Sequence, residues 1–292
     1  MSFIDDAKAV ATMAIPGPGT PDEQRKLLDA LSMDELAGLW CSLQYLGIPD
    51  YTEDTWPKVM YFDHLPHDAP ERAFEMVLTV LRSEVHKSVK MELNNKLMIA
   101  LVSAQGERLV EQIEAEACGN AALRWLLGGA YWWTSNTSVK ARLAVFADQD
   151  AWRADDAARD QAEPIDFAAL PSADLARAWI AQKCKPRKDQ DDNWMALCDY
   201  ERDLIESDPD KMIDLIIEIL KIESNPQVLS YLAAGPLEDV VGMKTIDRIE
   251  REAAEPAFRA LLEGVWYWNE AEELKARLDA ILERTPAPSP GH

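Results

Sequence analysis

The chain has 292 residues, a hydrophobic fraction of 48% and a charged fraction of 28%, so it carries enough apolar material for a buried core. Its net charge of −22 disfavours bare nucleic acid and anionic membrane surfaces, and it favours a basic protein partner. Four scattered cysteines with no CxxC spacing read as small buried hydrophobes, and no stretch reaches the roughly 20 apolar residues of a membrane helix.

Residues 1–30 read as an N-terminal extension. Phe3 to Ala14 is a loose helix broken at Pro16-Gly17-Pro18-Gly19, and no leader peptide is expected, so the cytoplasm follows by default. Thr20-Pro21-Asp22-Glu23 and Ser32-Met33-Asp34-Glu35 are both capping boxes. The second opens a helix carrying Leu36, Leu39 and Trp40, at the head of a unit spanning 31–147. Residues 47–69, with Pro49, Pro57 and Pro66, read as an irregular loop. Within it, Asp63-His64-Leu65-Pro66-His67-Asp68 holds metal-ligand residue types, but proline interrupts a regular HxxH face, and a solvated loop is the simpler reading.

Pro70 opens a helix whose polar stripe is Arg72, Glu75, Thr79 and Arg82, and Pro209 opens its partner. Both read as central, largely buried helices. Residues 148–169 carry seven acids against two arginines and read as an acidic connector. A second unit spans 170–284, and the tail 285–292, TPAPSPGH, reads as disordered.

The two units are copies. Pro70-Glu71-Arg72-Ala73-Phe74 pairs with Pro209-Asp210-Lys211-Met212-Ile213, and Trp40 pairs with Trp179, all 139 positions apart. Ala122 to Trp133 pairs with Ala257 to Trp268 at 135 positions, as Lys140-Ala141-Arg142-Leu143 does with Lys275-Ala276-Arg277-Leu278. Blocks kept in one order argue for internal duplication. The expected fold is therefore all-α, two tandem homologous multi-helix units in a short solenoid-like array.

The second copy carries Gly235-Pro236-Leu237-Glu238, where Gly235 is expected to end a helix in the left-handed region and Pro236 to start the next. The first copy is expected to align Ala104 to Glu107 there, as a shorter corner. Of the aromatic ends Tyr131-Trp132-Trp133 and Trp266-Tyr267-Trp268, most are expected in the core, Trp266 included, with Trp268 as an exposed anchor.

Between 189 and 210 nine acids face Arg202 alone. On a helix, Asp192, Asp199, Asp203 and Glu206 share one face, opposite Trp194, Leu197, Cys198, Leu204 and Ile205; Glu201 falls on the apolar side without explanation. The basic run Lys183, Lys185, Arg187 and Lys188 is expected to dock on this acidic face.

The stretch Leu232-Ala233-Ala234-Gly235-Pro236-Leu237-Glu238-Asp239-Val240-Val241 is followed by Ile246-Asp247-Arg248-Ile249-Glu250, Pro256, Phe258-Arg259 and Gly264-Val265-Trp266. It resembles an uncharacterised bacterial domain family with a central LAAGPLEDLL motif. The resemblance implies a helical bacterial domain and assigns no catalytic residue, cofactor or metal.

No phosphate loop, GxSxG or Cys–His pairing stands out, so no enzymatic activity and no cofactor are expected. The reading is an acidic protein-binding module, most concretely an immunity protein that neutralises a basic toxin or effector. Its contact residues are Asp192, Asp199, Asp203, Glu206 and Trp268, with Gly235, Pro236, Leu237, Glu238 and Trp266 as structural motif. The alternatives are a metal- or carboxylate-dependent enzyme centred on His64 and His67, and a nucleic-acid-mimicking inhibitor.

Overall fold

The computed structural model describes residues 21–159, 162–267 and 271–283, and no strand occurs among them. The expected helix at Phe3–Ala14, the first capping box at Thr20 and the tail lie outside these residues. The chain divides into two compact units, residues 1–162 with 186–191 and residues 163–185 with 192–292.

The first unit holds α1 (Pro21–Asp29), α2 (Met33–Leu43), α3 (Thr55–Asp68), α4 (Pro70–Arg82), α5 (Lys87–Leu93), α6 (Ile99–Gly119), α7 (Ala121–Ala130), α8 (Thr137–Ala144) and α9 (Gln149–Arg159). Ser32 closes the predicted capping box: its Oγ accepts the Glu35 N–H at 3.3 Å, while its own N–H donates to Glu35 Oε2 at 2.9 Å. The second unit holds α10 (Ser172–Lys183), α11 (Asp192–Ser207), α12 (Pro209–Leu220), α13 (Pro226–Leu232), α14 (Glu238–Val240), α15 (Ile246–Glu252), α16 (Pro256–Leu262) and α17 (Glu272–Leu282).

The central helices are buried as read. Phe74, Met76, Val77 and Val80 of α4 have no solvent exposure, nor do Met212, Ile213, Ile216 and Ile219 of α12. The duplication extends to polar contacts. Arg142 Nε donates to Glu114 Oε1 at 2.7 Å, and Arg277 Nε to Glu250 Oε1 at 2.9 Å. Arg124 Nη1 donates to the Ala117 carbonyl at 2.9 Å, as Arg259 Nη2 does to that of Ala253 at 2.9 Å.

One stretch read as irregular is helical. Thr55 to Asp68 forms α3: Pro57 sits in the first turn, where an N–H has no helical acceptor, and Pro66 forfeits one helical hydrogen bond just before the helix ends at Asp68. The acidic stretch 148–169 does not run free between the units. Its α9 packs on α7, with Trp152 buried, Trp125 Nε1 donating to Asp155 Oδ2 at 2.8 Å and the Asp148 N–H bonding the Arg124 carbonyl at 2.9 Å.

The Gly-Pro corner also differs from expectation. Gly235 and Pro236 end no helix; they lie within a π-helical turn, Ala233–Leu237, closed by the Glu238 N–H on the Ala233 carbonyl. Proline lacks the N–H and crowds the carbonyl four residues back, and a turn widened to five-residue spacing accommodates both. Gly235 is outside the left-handed region, and a Cβ there would meet nothing within 4 Å. The first unit has the same turn without proline at Asn94–Met98, closed by the Ile99 N–H on the Asn94 carbonyl. These turns, 139 positions apart, are the true counterparts, rather than Ala104 to Glu107, which lie inside α6. Copy length differs just after them. The continuous α6 is broken in the second unit at Gly242, where Thr245 Oγ1 donates to the Val240 carbonyl at 2.6 Å.

A glycine covers each turn. A Cβ on Gly129 would stand 2.1 Å from Asn94 Nδ2, and one on Gly264 would stand 2.9 Å from Ala233 Cβ. Alanine at Gly129 should therefore destabilise by about 1–3 kcal/mol through overpacking. At Gly235 it should be neutral or stabilise by up to about 1 kcal/mol, since the backbone suits any residue. Chemical denaturation of the two variants measures both signs; a Gly235→Ala loss as large as that of Gly129→Ala would contradict the helical assignment of the corner.

Candidate partner-binding surfaces

Helix α11 sorts its acids by face. Asp192, Asp199, Asp203 and Glu206 are all exposed, whereas Asn193, Leu197, Glu201 and Leu204 are buried. Met195, 54% exposed, lies on the same face as the acids, three residues after Asp192 and four before Asp199. Asp199 Oδ1 accepts from Arg202 Nη2 at 2.6 Å, but both side chains are more than half exposed, so the pair holds little energy.

The buried side of α11 explains Glu201. Its carboxylate pairs with Lys183 Nζ and accepts the Trp179 Nε1–H at 2.5 Å. Lys183 is 3% exposed, reaches Cys198 Sγ at 3.2 Å, and lies 5.3 Å from the centre of the Trp194 ring and 5.9 Å from that of Tyr231. Burial pulls the Lys183 ammonium towards neutrality, but Glu201 and Tyr231 outweigh it and hold the pKa above the ordinary lysine value. Burial pushes the Cys198 thiol and the Tyr231 phenol up. The expectation that Lys183 docks on the outer acidic face is therefore corrected: its charge is spent inward. Lys188 likewise pairs with Asp189 at 2.6 Å and lies 5.4 Å from the centre of the Tyr45 ring in the first unit. At the positions of Trp179, Lys183 and Glu201, the first unit has Trp40, Gln44 and Phe62, and Gln44 Nε2 donates to the Trp40 carbonyl at 2.9 Å. One scaffold thus accepts either a neutral or an ionic core at this place.

The aromatic ends are more exposed than expected. Trp132 is 50% exposed and Trp133 52%, their ring centroids 4.6 Å apart; Trp266 is 65% exposed. Helix α16 stops at Leu262, so Trp266 does not continue the inward face of Phe258, Leu261 and Leu262. Its role in the motif is through its backbone: the Trp266 N–H donates to Glu238 Oε2 at 3.0 Å, while Leu237 and Pro236 are buried beside that carboxylate's helix. Tyr267 donates its hydroxyl to Asp279 at 2.8 Å, and Trp268 lies outside the described residues.

His64 and His67 sit three apart on α3, both exposed, so Pro66 does not remove them from a helical face. His64 borders a groove of about 450 Å³ lined by Trp56, Met60 and Tyr61. Among the described residues no group of three histidine, cysteine or acidic side chains is placed to hold a metal ion. Among them, too, no helix is long and apolar enough to cross a membrane.

Fold and surface define a class: an all-helical tandem duplicate with acidic and aromatic faces. The chain belongs to DUF6869, a family of unknown function, which matches it twice, over residues 47–151 and 182–285. No curated protein and no solved structure matches it.

The buried pair carries a signed prediction. Lys183→Met leaves Glu201 unpaired and should cost about 3–5 kcal/mol, whereas the double variant Lys183→Gln/Glu201→Phe, which copies the first unit, should cost less. Because folding raises the Lys183 pKa, its stabilisation is complete below the unfolded value, about 10.4, and fades as pH rises through the folded value. Urea unfolding at pH 8 and above pH 10.5 should show the wild type losing more stability than the double variant; equal losses would contradict a charged pair.

Proposed function

We propose that this protein is an acidic protein-binding module for a basic partner, in its most concrete form an immunity-type protein that neutralises a toxin or effector in the cytoplasm. The observation that carries the reading is the partition of α11, with four exposed acids around the exposed Met195 and its one inward acid neutralised by Lys183. Exposed negative charge in a protein of net charge −22 accelerates encounter with a cation-rich surface, while an apolar anchor supplies lasting affinity. Exposed Trp132, Trp133 and Trp266 offer further anchors. We read the protein as non-enzymatic and without a cofactor, and the Leu232–Val241 segment as the bacterial family's motif; Glu238 there serves the fold.

The test uses the wild type and Asp199→Lys/Asp203→Lys as paired baits, followed by kinetics with the basic protein that the wild type retains. The double reversal should lower the association rate at low salt by at least about tenfold, flatten its salt dependence and leave melting unchanged. An unchanged rate makes the stripe a solvated face only.

A further inference from the structure

The first unit has a cleft of about 540 Å³ that the second is not built to form. Its walls are the π-helical turn at Asn94, the end of α7 at Gly128 and Gly129, the turn Tyr131–Trp133, and α9. Helix α9 reaches this position because residue 128 is glycine: a Cβ there would stand 2.3 Å from the Asp148 carbonyl oxygen and 2.9 Å from Trp152 Cβ. The second unit has Glu263 at the place of Gly128, and Ala260 at that of Trp125, the indole that holds Asp155 of α9. Duplication therefore produced one unit that admits the extra helix and one that refuses it.

Three features of the cleft are unspent. Asn94 is 4% exposed, yet its Oδ1 has no hydrogen-bond partner, one of three such buried side-chain atoms among the described residues. Where Asn94 stands, the second unit has Ala233, so the fold itself does not require an amide. Asp156 is exposed, and no cation is placed on it among the described residues. Arg153 also lines the cleft, where it donates to Gln149, another wall residue, at 3.0 Å and stands 3.8 Å from Asp150 Oδ1. At the mouth, Trp132 and Trp133 present half-exposed indoles.

An acceptor without a donor, a carboxylate on which no described side chain places a cation, and paired indole faces together ask for a planar cation that only donates. That description fits guanidinium, which has five donors, no acceptor and a flat face that stacks on tryptophan. We propose that this cleft receives an arginine side chain of the basic partner. The inference rests on the reading of the protein as a binder of basic proteins, and it names the side chain recognised and the unit that recognises it. An ammonium is a more strongly hydrated point charge and gains less from the stacked indoles, and a neutral urea side chain keeps hydrogen bonds to Asp156 but loses the ion pair.

The test needs no partner. Blocked arginine, N-acetyl-arginine amide, is titrated into the full-length protein beside the lysine and citrulline equivalents, with indole and side-chain amide NMR shifts as readout. Saturable binding in the millimolar range is expected for arginine, weaker by at least about fivefold for the other two. Asp156→Asn and Asn94→Ala should each weaken it by about tenfold. Melting of Asn94→Ala should not fall, because the variant removes an unsatisfied buried group and copies Ala233. Absence of saturation, equal binding of citrulline, or full binding by either variant would overturn the assignment, as would saturation by a neutral trisaccharide with none by arginine. Failure here alongside slowed partner association in Asp199→Lys/Asp203→Lys removes the cleft and leaves the acidic face. Arginine binding alongside unchanged association removes the face and leaves the cleft.

Discussion

Each unit has the same close approach: a glycine in the last turn of α7 or just after α16 is pressed on the side chain of the first residue of a π-helical turn. Gly129 covers Asn94 and Gly264 covers Ala233, with no room for a Cβ in the first case and little in the second. The approach seats α7 and α16 against the central core, and it sets where the aromatic ends emerge. Glu238 reinforces it in the second unit by accepting the Trp266 N–H. In the first unit, the same approach, with Gly128 beside it, lets α9 lie down and close one side of a cleft.

Around that shared frame the copies diverge in where they place charge. The second unit buries Lys183 against Glu201 and keeps the remaining acids of α11 outside. The first keeps Gln44 and Phe62 inside and moves its polar novelty to Asn94, Asp156 and the α9 surface. A buried ion pair is no guarantee of stability, since desolvation opposes it, and the neutral twin shows that the scaffold does without it. Its consequence for recognition is simpler: it turns Lys183 away from the acidic stripe, which leaves Arg202 on Asp199 as the cation paired there among the described residues.

Periodicity read the helices well wherever a face was cleanly apolar, as in the Pro70 and Pro209 helices, and the offset between copies carried the tandem fold. The errors share a cause. Pro57 and Pro66 read as part of a loop and Pro236 as the start of a new helix, yet a first-turn position has no N–H to lose, a position near the helix end loses a single hydrogen bond, and a π-helical turn accommodates the ring. Burial suits large rings, which favours a core place for most of the aromatic runs, but a run beyond the helix end has no inward face to continue. Glu201 on the apolar side of α11 was the available signal for a buried partner, and Lys183 was the cation close enough in sequence to supply it. The cleft was not legible, because it depends on Gly128 and Asn94 meeting α9 in space.

The most direct measurement is covalent footprinting of the protein alone and in complex with its basic partner, modifying carboxylates and oxidising tryptophans in parallel. Binding through these surfaces predicts loss of labelling at Asp199, Asp203, Glu206, Asp156, Trp132 and Trp133, with exposed Glu272 and Glu273 on α17 still labelled. Undiminished labelling of α11 and of Trp132 and Trp133, with protection elsewhere, would contradict it.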